Sequence, residues 1–155
     1  MRVLLINPFY PISETPSPPL GLAFLAGALE RSGHQVKLID FVVFPFSREF
    51  LASMMRDFKP DLAGATAVTM TVDHALETLA EIKALDPSIT TVLGGPHATF
   101  CATEILHSCD QVDVVACGEG EDTLVALTQA QCGKMLLGEA AQFLDLSDRC
   151  ASGLE

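Results

Sequence analysis

The chain has 155 residues, 49% of them apolar, and a formal charge of -11 from 9 basic against 20 acidic side chains. That length fits one domain with a real core, since a domain of this size buries roughly 70% of its unfolded surface. The acidity argues against a nucleic-acid partner, because a phosphate backbone would meet repulsion instead of counterion-releasing attraction.

The mean hydropathy of +0.36 is high and suggests a sheet covered on both faces. The longest apolar stretch, Leu20 to Leu29, is interrupted by two glycines and falls short of the roughly 20 residues that span a membrane. Met1 to Ile6 is too short an apolar run for a signal peptide. A soluble, cytoplasmic domain with no membrane partner is expected.

Five apolar runs, each followed by a helical pattern, predict repeated βα units and a parallel, doubly wound α/β sheet. The first strand is Arg2 to Asn7. A Pro-rich loop from Pro8 to Pro19 leads into a helix from Leu20 to Arg31, with Leu22, Leu25, Ala26 and Leu29 on one stripe and Gly33 as its stop. The second strand is Gln35 to Asp40. Ser47 can cap the next helix, whose Phe50, Leu51, Met54, Met55 and Phe58 read as core packing.

The third strand is placed at Asp61 to Val68, followed by a helix from near Thr71 with Val72, Leu76, Leu79, Ile82 and Leu85 inward and Asp86-Pro87 at its end. The fourth strand, Ile89 to Leu93, runs into Gly94-Gly95-Pro96-His97, and a shorter helix is expected from Thr99 to His107. Val112 to Ala116 makes the fifth strand. A last helix starts at Asp122 and stops near Gly133. Residues 1–133 therefore form the domain, and 134–155 a terminal helix or tail.

In an open parallel sheet, ligands bind beyond the carboxyl ends of the strands, where the strand order reverses. Four unusual loops occupy that edge: the long Pro8 to Pro19, the small and hydroxyl-rich Thr66 to Thr71, Gly94 to Thr99, and Cys117 to Glu121. Gly94-Gly95 leaves bare backbone that a flat ligand can approach closely, or makes an ordinary tight turn. Thr66, Thr69 and Thr71 can donate hydrogen bonds to a ligand, with helix capping as the plainer role for Thr71. His97 reads as a turn residue with local hydrogen bonds, not as a catalyst.

Neither GxxxxGK[ST] nor a GxGxxG after the first strand is present, and there is no GxSxG elbow. Gly118-Glu119-Gly120-Glu121 brings two carboxylates that would repel a phosphate. The five cysteines show no CxxC or CxxxCxxC spacing, so neither a zinc site nor an iron–sulfur cluster is signalled, and most read as buried or semi-buried free thiols.

Asn7-Pro8, Pro18-Pro19-Leu20-Gly21-Leu22-Ala23, Leu29-Glu30-Arg31-Ser32-Gly33-His34, Gly94-Gly95-Pro96-His97-Ala98-Thr99 and Gly118-Glu119-Gly120-Glu121 together resemble the amino-terminal cobalamin-binding domain of cobalamin-dependent radical SAM enzymes. That class includes methyltransferases and the anaerobic magnesium-protoporphyrin monomethyl ester cyclase. The resemblance runs over about residues 1–130 and implies a flavodoxin-like, three-layer α/β/α fold with strand order 2-1-3-4-5.

It also implies that cobalamin lies at the carboxyl edge, its nucleotide tail beside Thr66, Ala67, Thr69 and Gly94-Gly95. Pro8, Tyr10, Met70, Pro96, His97, Gly118, Glu119 and Gly120 would surround the corrin, with Tyr10 and Met70 toward the cobalt's lower side. The Asp-x-His-x-x-Gly motif that supplies a cobalt-ligating histidine is missing, so base-off cobalamin without a histidine from the first loop is expected.

A CxxxCxxC motif is absent too, which places the iron–sulfur cluster, S-adenosylmethionine and the chemistry in a radical SAM domain or subunit that this chain lacks. The chain then reads as an excised domain or a freestanding carrier. The alternatives are a cofactor-free structural or docking module of the same fold, with an apolar patch on the sheet edge or on Phe41 to Phe46, and a flavin or nucleotide binder.

Overall fold

The computed structural model describes residues 1–10 and 17–132. Ten elements alternate strictly: β1 Arg2–Asn7, α1 Leu20–Arg31, β2 Gln35–Asp40, α2 Arg48–Phe58, β3 Leu62–Thr66, α3 Val72–Leu85, β4 Thr90–Gly94, α4 Pro96–Ser108, β5 Val114–Val115 and α5 Gly120–Cys132. The five strands form one parallel sheet in the order β2-β1-β3-β4-β5. The order reverses between β1 and β3, and that junction positions the site. The flavodoxin-like, doubly wound α/β fold is therefore present. The expected tail at 134–155 lies outside the described residues.

Side chains alternate across each strand, so each strand feeds two cores. Leu4, Ile6, Ala63, Ala65, Leu93 and Val115 pack with α2, α3 and α4 on one face. Val3, Leu5, Leu62, Val92 and Ala116 face α1 and α5 on the other. Strands buried on both sides read as continuous apolar runs, which is why the sequence shows runs instead of alternation.

The expected boundaries of β1, β2 and α1 agree with the structure, and Ser47 caps α2 by accepting from the Phe50 amide at 3.3 Å. Other boundaries differ, β4 by a shift of one residue to Thr90–Gly94. β3 stops at Thr66, because Ala67 leaves the ladder to bond the turn after β4. α4 begins at Pro96, whose ring presets a helical φ at the first position, instead of at Thr99. α5 begins at Gly120, not Asp122. β5 is shorter than expected, since the Asp113 carboxylate takes both the amide of Thr91, at 2.8 Å, and its hydroxyl, at 3.0 Å.

Phe50 and Leu85, expected in the core, are substantially exposed, and the inward face of α3 instead carries the smaller Ala75 and Thr78. Among the described residues, no helix is long and apolar enough to cross a membrane.

Candidate functional site

At the carboxyl edge, on the α1/α5 face, the sheet and its helices part to leave a cleft of about 410 Å³. The strand residues lining it, Leu5, Asn7, Gly64, Thr66, Val92 and Gly94, belong to the same side of the pleat, apart from Ala65, and Ala116 just after β5 continues that side. Leu22 and Leu25 of α1 and Leu124 of α5 form the opposite wall. The cleft exists because the row at the strand ends is built from small residues: Thr66 pairs with Gly94, and a Cβ at Gly94 would come within 3.8 Å of Ala116. A second depression of about 330 Å³, lined by Pro8, Tyr10, Pro19, Val42 and Val68 among others, adjoins it. Asn7, Pro19 and Thr66 line both.

The turn after β4 is fixed by contacts that only glycine permits. Gly95 has φ +94°, and a Cβ there would fall 2.6 Å from Thr66 Oγ1 and 2.8 Å from the Ala67 amide and carbonyl. No side chain fits, and the backbone conformation disfavours one in any case. That close approach lets the Ala67 amide donate to the Gly94 carbonyl at 2.8 Å and the His97 amide donate to the Ala67 carbonyl at 3.0 Å. Thr99 then ties in the neighbouring loop: its hydroxyl donates to the Gly95 carbonyl at 3.1 Å and accepts from the Gly118 amide at 3.0 Å.

Of the residues expected from the sequence, Thr66, Gly94, Gly95, Pro96, Gly118, Glu119 and Gly120 line the main cleft, and Pro8 and Tyr10 line the adjoining depression. Ala67 is different: its side chain is buried in the opposite core, and it contributes through backbone bonds alone. Thr69, Met70 and His97 stand on the shoulder of the site, where His97 Nδ1 lies 3.2 Å from the Thr69 hydroxyl and Tyr10 donates its hydroxyl to Met70 Sδ at 3.7 Å. Thr71 lines the adjoining depression, but the plainer capping role expected of it is not seen. It occupies the N-cap position of α3 without capping, because its buried hydroxyl exchanges hydrogen bonds with the Val68 amide and carbonyl at 3.1 and 3.2 Å.

The walls were missed. Leu5, Gly64, Val92, Ala116, Leu22, Leu25 and Leu124 read as ordinary core from the sequence. Only Gly64, a glycine in the middle of a strand run, carried a usable signal, since such glycines mark a close approach. Thr99 reads from the sequence as a loop end and helix start, and its tie between two loops is visible only in the structure.

Among the described residues no Lys or Arg lines the cleft, whereas Glu119 and Glu121 do. The compensating positive potential comes from the amino ends of three helices, since the first residues of α1, α4 and α5 border the opening. The inner walls are apolar and the polar side chains lie at the mouth. This arrangement suits a ligand with an apolar part to insert and a polar part to leave at the mouth.

The comparisons with known proteins agree with that chemistry. The B12 binding domain model matches residues 13–128. The anaerobic magnesium-protoporphyrin IX monomethyl ester cyclase of Cereibacter sphaeroides is 36% identical over 135 residues, covering 84% of this chain and 22% of that protein. An uncharacterized methyltransferase of Pyrococcus horikoshii is 34% identical over 135 residues, covering 84% of this chain and 29% of that protein. The chain thus spans less than a third of the length of these relatives.

Among solved structures, the radical S-adenosylmethionine methyltransferase TsrM from Kitasatospora setae, with cobalamin and a [4Fe-4S] cluster bound, superposes with a TM-score of 0.73 at 24% identity, over 83% of this chain and 26% of that one. A likeness at that identity speaks for the fold alone. The family model, which covers most of the sequence, carries more: this chain belongs to the B12 binding domain family.

Proposed function

We propose that the cleft holds cobalamin, with the nucleotide tail inserted between the sheet and α1/α5 and the corrin resting over the strand ends. The observation that carries this reading is the bare-backbone slot at the β1/β3 switch point, with Gly64, Gly94 and Gly95 along it and Thr66 at its mouth. A bulky planar tail needs a path free of side chains, and the residues present fit that need. Pro8, Tyr10, Thr69, Met70, Pro96, His97, Gly118, Glu119 and Gly120 surround the opening and would meet the corrin, with Ala67 holding the turn behind them.

Bound in this way, the cobalt centre supplies methyl-carrying or redox chemistry. The chain's own part is to bind and orient. Its slot would hold the nucleotide tail and so position the macrocycle, and Tyr10 and Met70, hydrogen-bonded to each other beside the opening, would shield the bound group from water. His97, bonded to Thr69, stiffens the shoulder and carries no proton in the reaction.

The catalytic partner in this reading is a radical SAM domain or subunit that contributes the iron–sulfur cluster and S-adenosylmethionine, acting in the cytoplasm, for methyl transfer or a related radical reaction. Exposed apolar side chains in the loops and first turns that follow the strand ends, among them Phe24 at 66% and Phe100 at 85% exposure, support a covering partner on this edge. The test is direct: the purified chain is mixed with hydroxocobalamin, desalted, and its visible spectrum recorded. Retained corrin with a shifted, base-off spectrum is expected, and a corrin-free protein fraction removes the proposal.

The cofactor-free docking module is the second reading, favoured by the exposed Val43, Phe44 and Phe46 on the connection after β2. It predicts no retained corrin, so the same spectrum separates the two.

A further inference from the structure

The inner end of the cleft is a row of three residues in register on neighbouring strands. Leu5 pairs with Gly64, and Gly64 pairs with Val92. All three line the cavity. A Cβ built on Gly64 would lie 3.6 Å from Leu5 Cδ2 and 3.9 Å from both Cβ and the carbonyl oxygen of Val92, which is ordinary contact, and Gly64 is not among the glycines with positive φ. The fold therefore does not need glycine here. Alanine would fit and would favour the folded state, because glycine inside a strand loses more conformational entropy and packs nothing. What the glycine leaves is space at the bottom of the slot.

The floor is also chemically uniform. The polar side chains that line the cleft, Asn7, Thr66, Glu119 and Glu121, all sit at the strand ends or at the start of α5. β3 is paired on both sides, so its backbone groups at the Gly64 row are engaged in the sheet. A heterocycle that reached the row would find Leu5, Val92 and bare glycine, with no free donor or acceptor.

We infer that Gly64 sets the depth of the slot and that the slot selects among corrinoids by their tail base, admitting a benzimidazole-type bicycle and disfavouring adenine. This rests on the cobalamin reading above. The methyl-bearing edge of a benzimidazole gains from contact with Leu5 and Val92. An adenine tail would bring its amino group and ring nitrogens to a floor that cannot pair them, and an unpaired buried polar group carries most of its desolvation cost.

Three probes test this by absorbance or calorimetric titration of the purified chain: hydroxocobalamin, a cobamide with an adenine tail, and cobinamide, which has no nucleotide tail. The wild-type chain should bind hydroxocobalamin at least ten-fold more tightly than the adenine-tailed cobamide. Gly64→Ala should weaken hydroxocobalamin at least ten-fold, leave cobinamide unchanged, and unfold at the same temperature as wild type or higher. Equal affinity of the wild-type chain for the two tailed corrinoids overturns the selectivity, and a Gly64→Ala chain that binds hydroxocobalamin like wild type overturns the depth role.

Should Gly64→Ala not fold, Val92→Thr, a near-isosteric change that adds one hydroxyl to the same row, carries the question. It should shift the preference toward the adenine tail at least three-fold, and an unchanged preference counts against the inference. Failure of the wild-type chain to bind any of the three probes is a separate outcome, because it removes the cobalamin reading itself.

Discussion

The two faces of this sheet are made by alternate residues of the same strands, yet one is closed and the other open. On the α2/α3/α4 face, Leu4, Ile6, Leu93 and Val115 meet three helices, and the strand ends are sealed by Ala98 and Ala102. On the α1/α5 face, two helices cover five strands, and the carboxyl half of the strand surface drops to Gly64, Thr66, Gly94 and Ala116. The difference shows how a doubly wound domain makes room for a ligand without a dedicated pocket element. It withholds side chains from one side of the pleat at the strand ends and packs the other against three helices.

The largest expected effect lies on the closed face. Leu93→Ala removes a fully buried side chain and should lower unfolding stability by about 3 kcal/mol in urea titration, with corrin binding per folded molecule unchanged. Gly95→Ala comes next: its Cβ would fall 2.6 Å from Thr66 Oγ1 at a φ of +94°, so a loss of about 2 kcal/mol is expected, together with loss of corrin retention because the turn bounds the cleft. Leu25→Ala sharpens the contrast. Its side chain is only half-buried on the open face, and it should cost about 1 kcal/mol; a cost equal to that of Leu93→Ala would show that the open face is packed as tightly as the closed one.

The smallest effect is a pH dependence where α1 and α5 meet. His34 Nε2 lies 3.0 Å from the Thr128 hydroxyl, which already donates to the Val125 carbonyl, so the imidazole N–H is the donor and Nδ1 faces the Met1 amino group at 3.4 Å. Burial first, and then the positive charge of the amino terminus, hold the His34 pKa below its ordinary value. The unfolded chain therefore takes up the proton first. Stability should be level above pH 6.5 and fall as the pH drops below it, flattening once the folded state also protonates. His34→Gln should remove this slope, measured as the urea midpoint between pH 7.5 and 5.5. The carboxylates Asp86 and Asp113 titrate in a lower window and do not overlap it.

The closed face was easy to read from the sequence because burial on both sides of a parallel strand leaves runs of Leu, Ile and Val that need no partner information. The Gly94-Gly95-Pro96-His97 turn was equally plain, since glycine pairs and a proline at a helix start have few other meanings. The cleft walls were harder. Leu5, Val92 and Leu124 are apolar whether they fill a core or line a cavity, and which one they do depends on what stands opposite, a tertiary fact. Thr71 shows the reverse error. Its position announces a cap, but its hydroxyl is closer to the Val68 backbone, and local geometry won.

Thr99 has a consequence for the rate of loading. One hydroxyl joins the Gly95 carbonyl to the Gly118 amide, so the loops after β4 and β5 are held together by the chain's own hydrogen bonds. That part of the mouth does not have to be assembled on encounter, and little ordering entropy is left to be lost there at the moment of capture. Uptake through such an opening is expected to be a single exponential whose rate rises linearly with corrinoid concentration, without the plateau that a slow rearrangement of these two loops would impose.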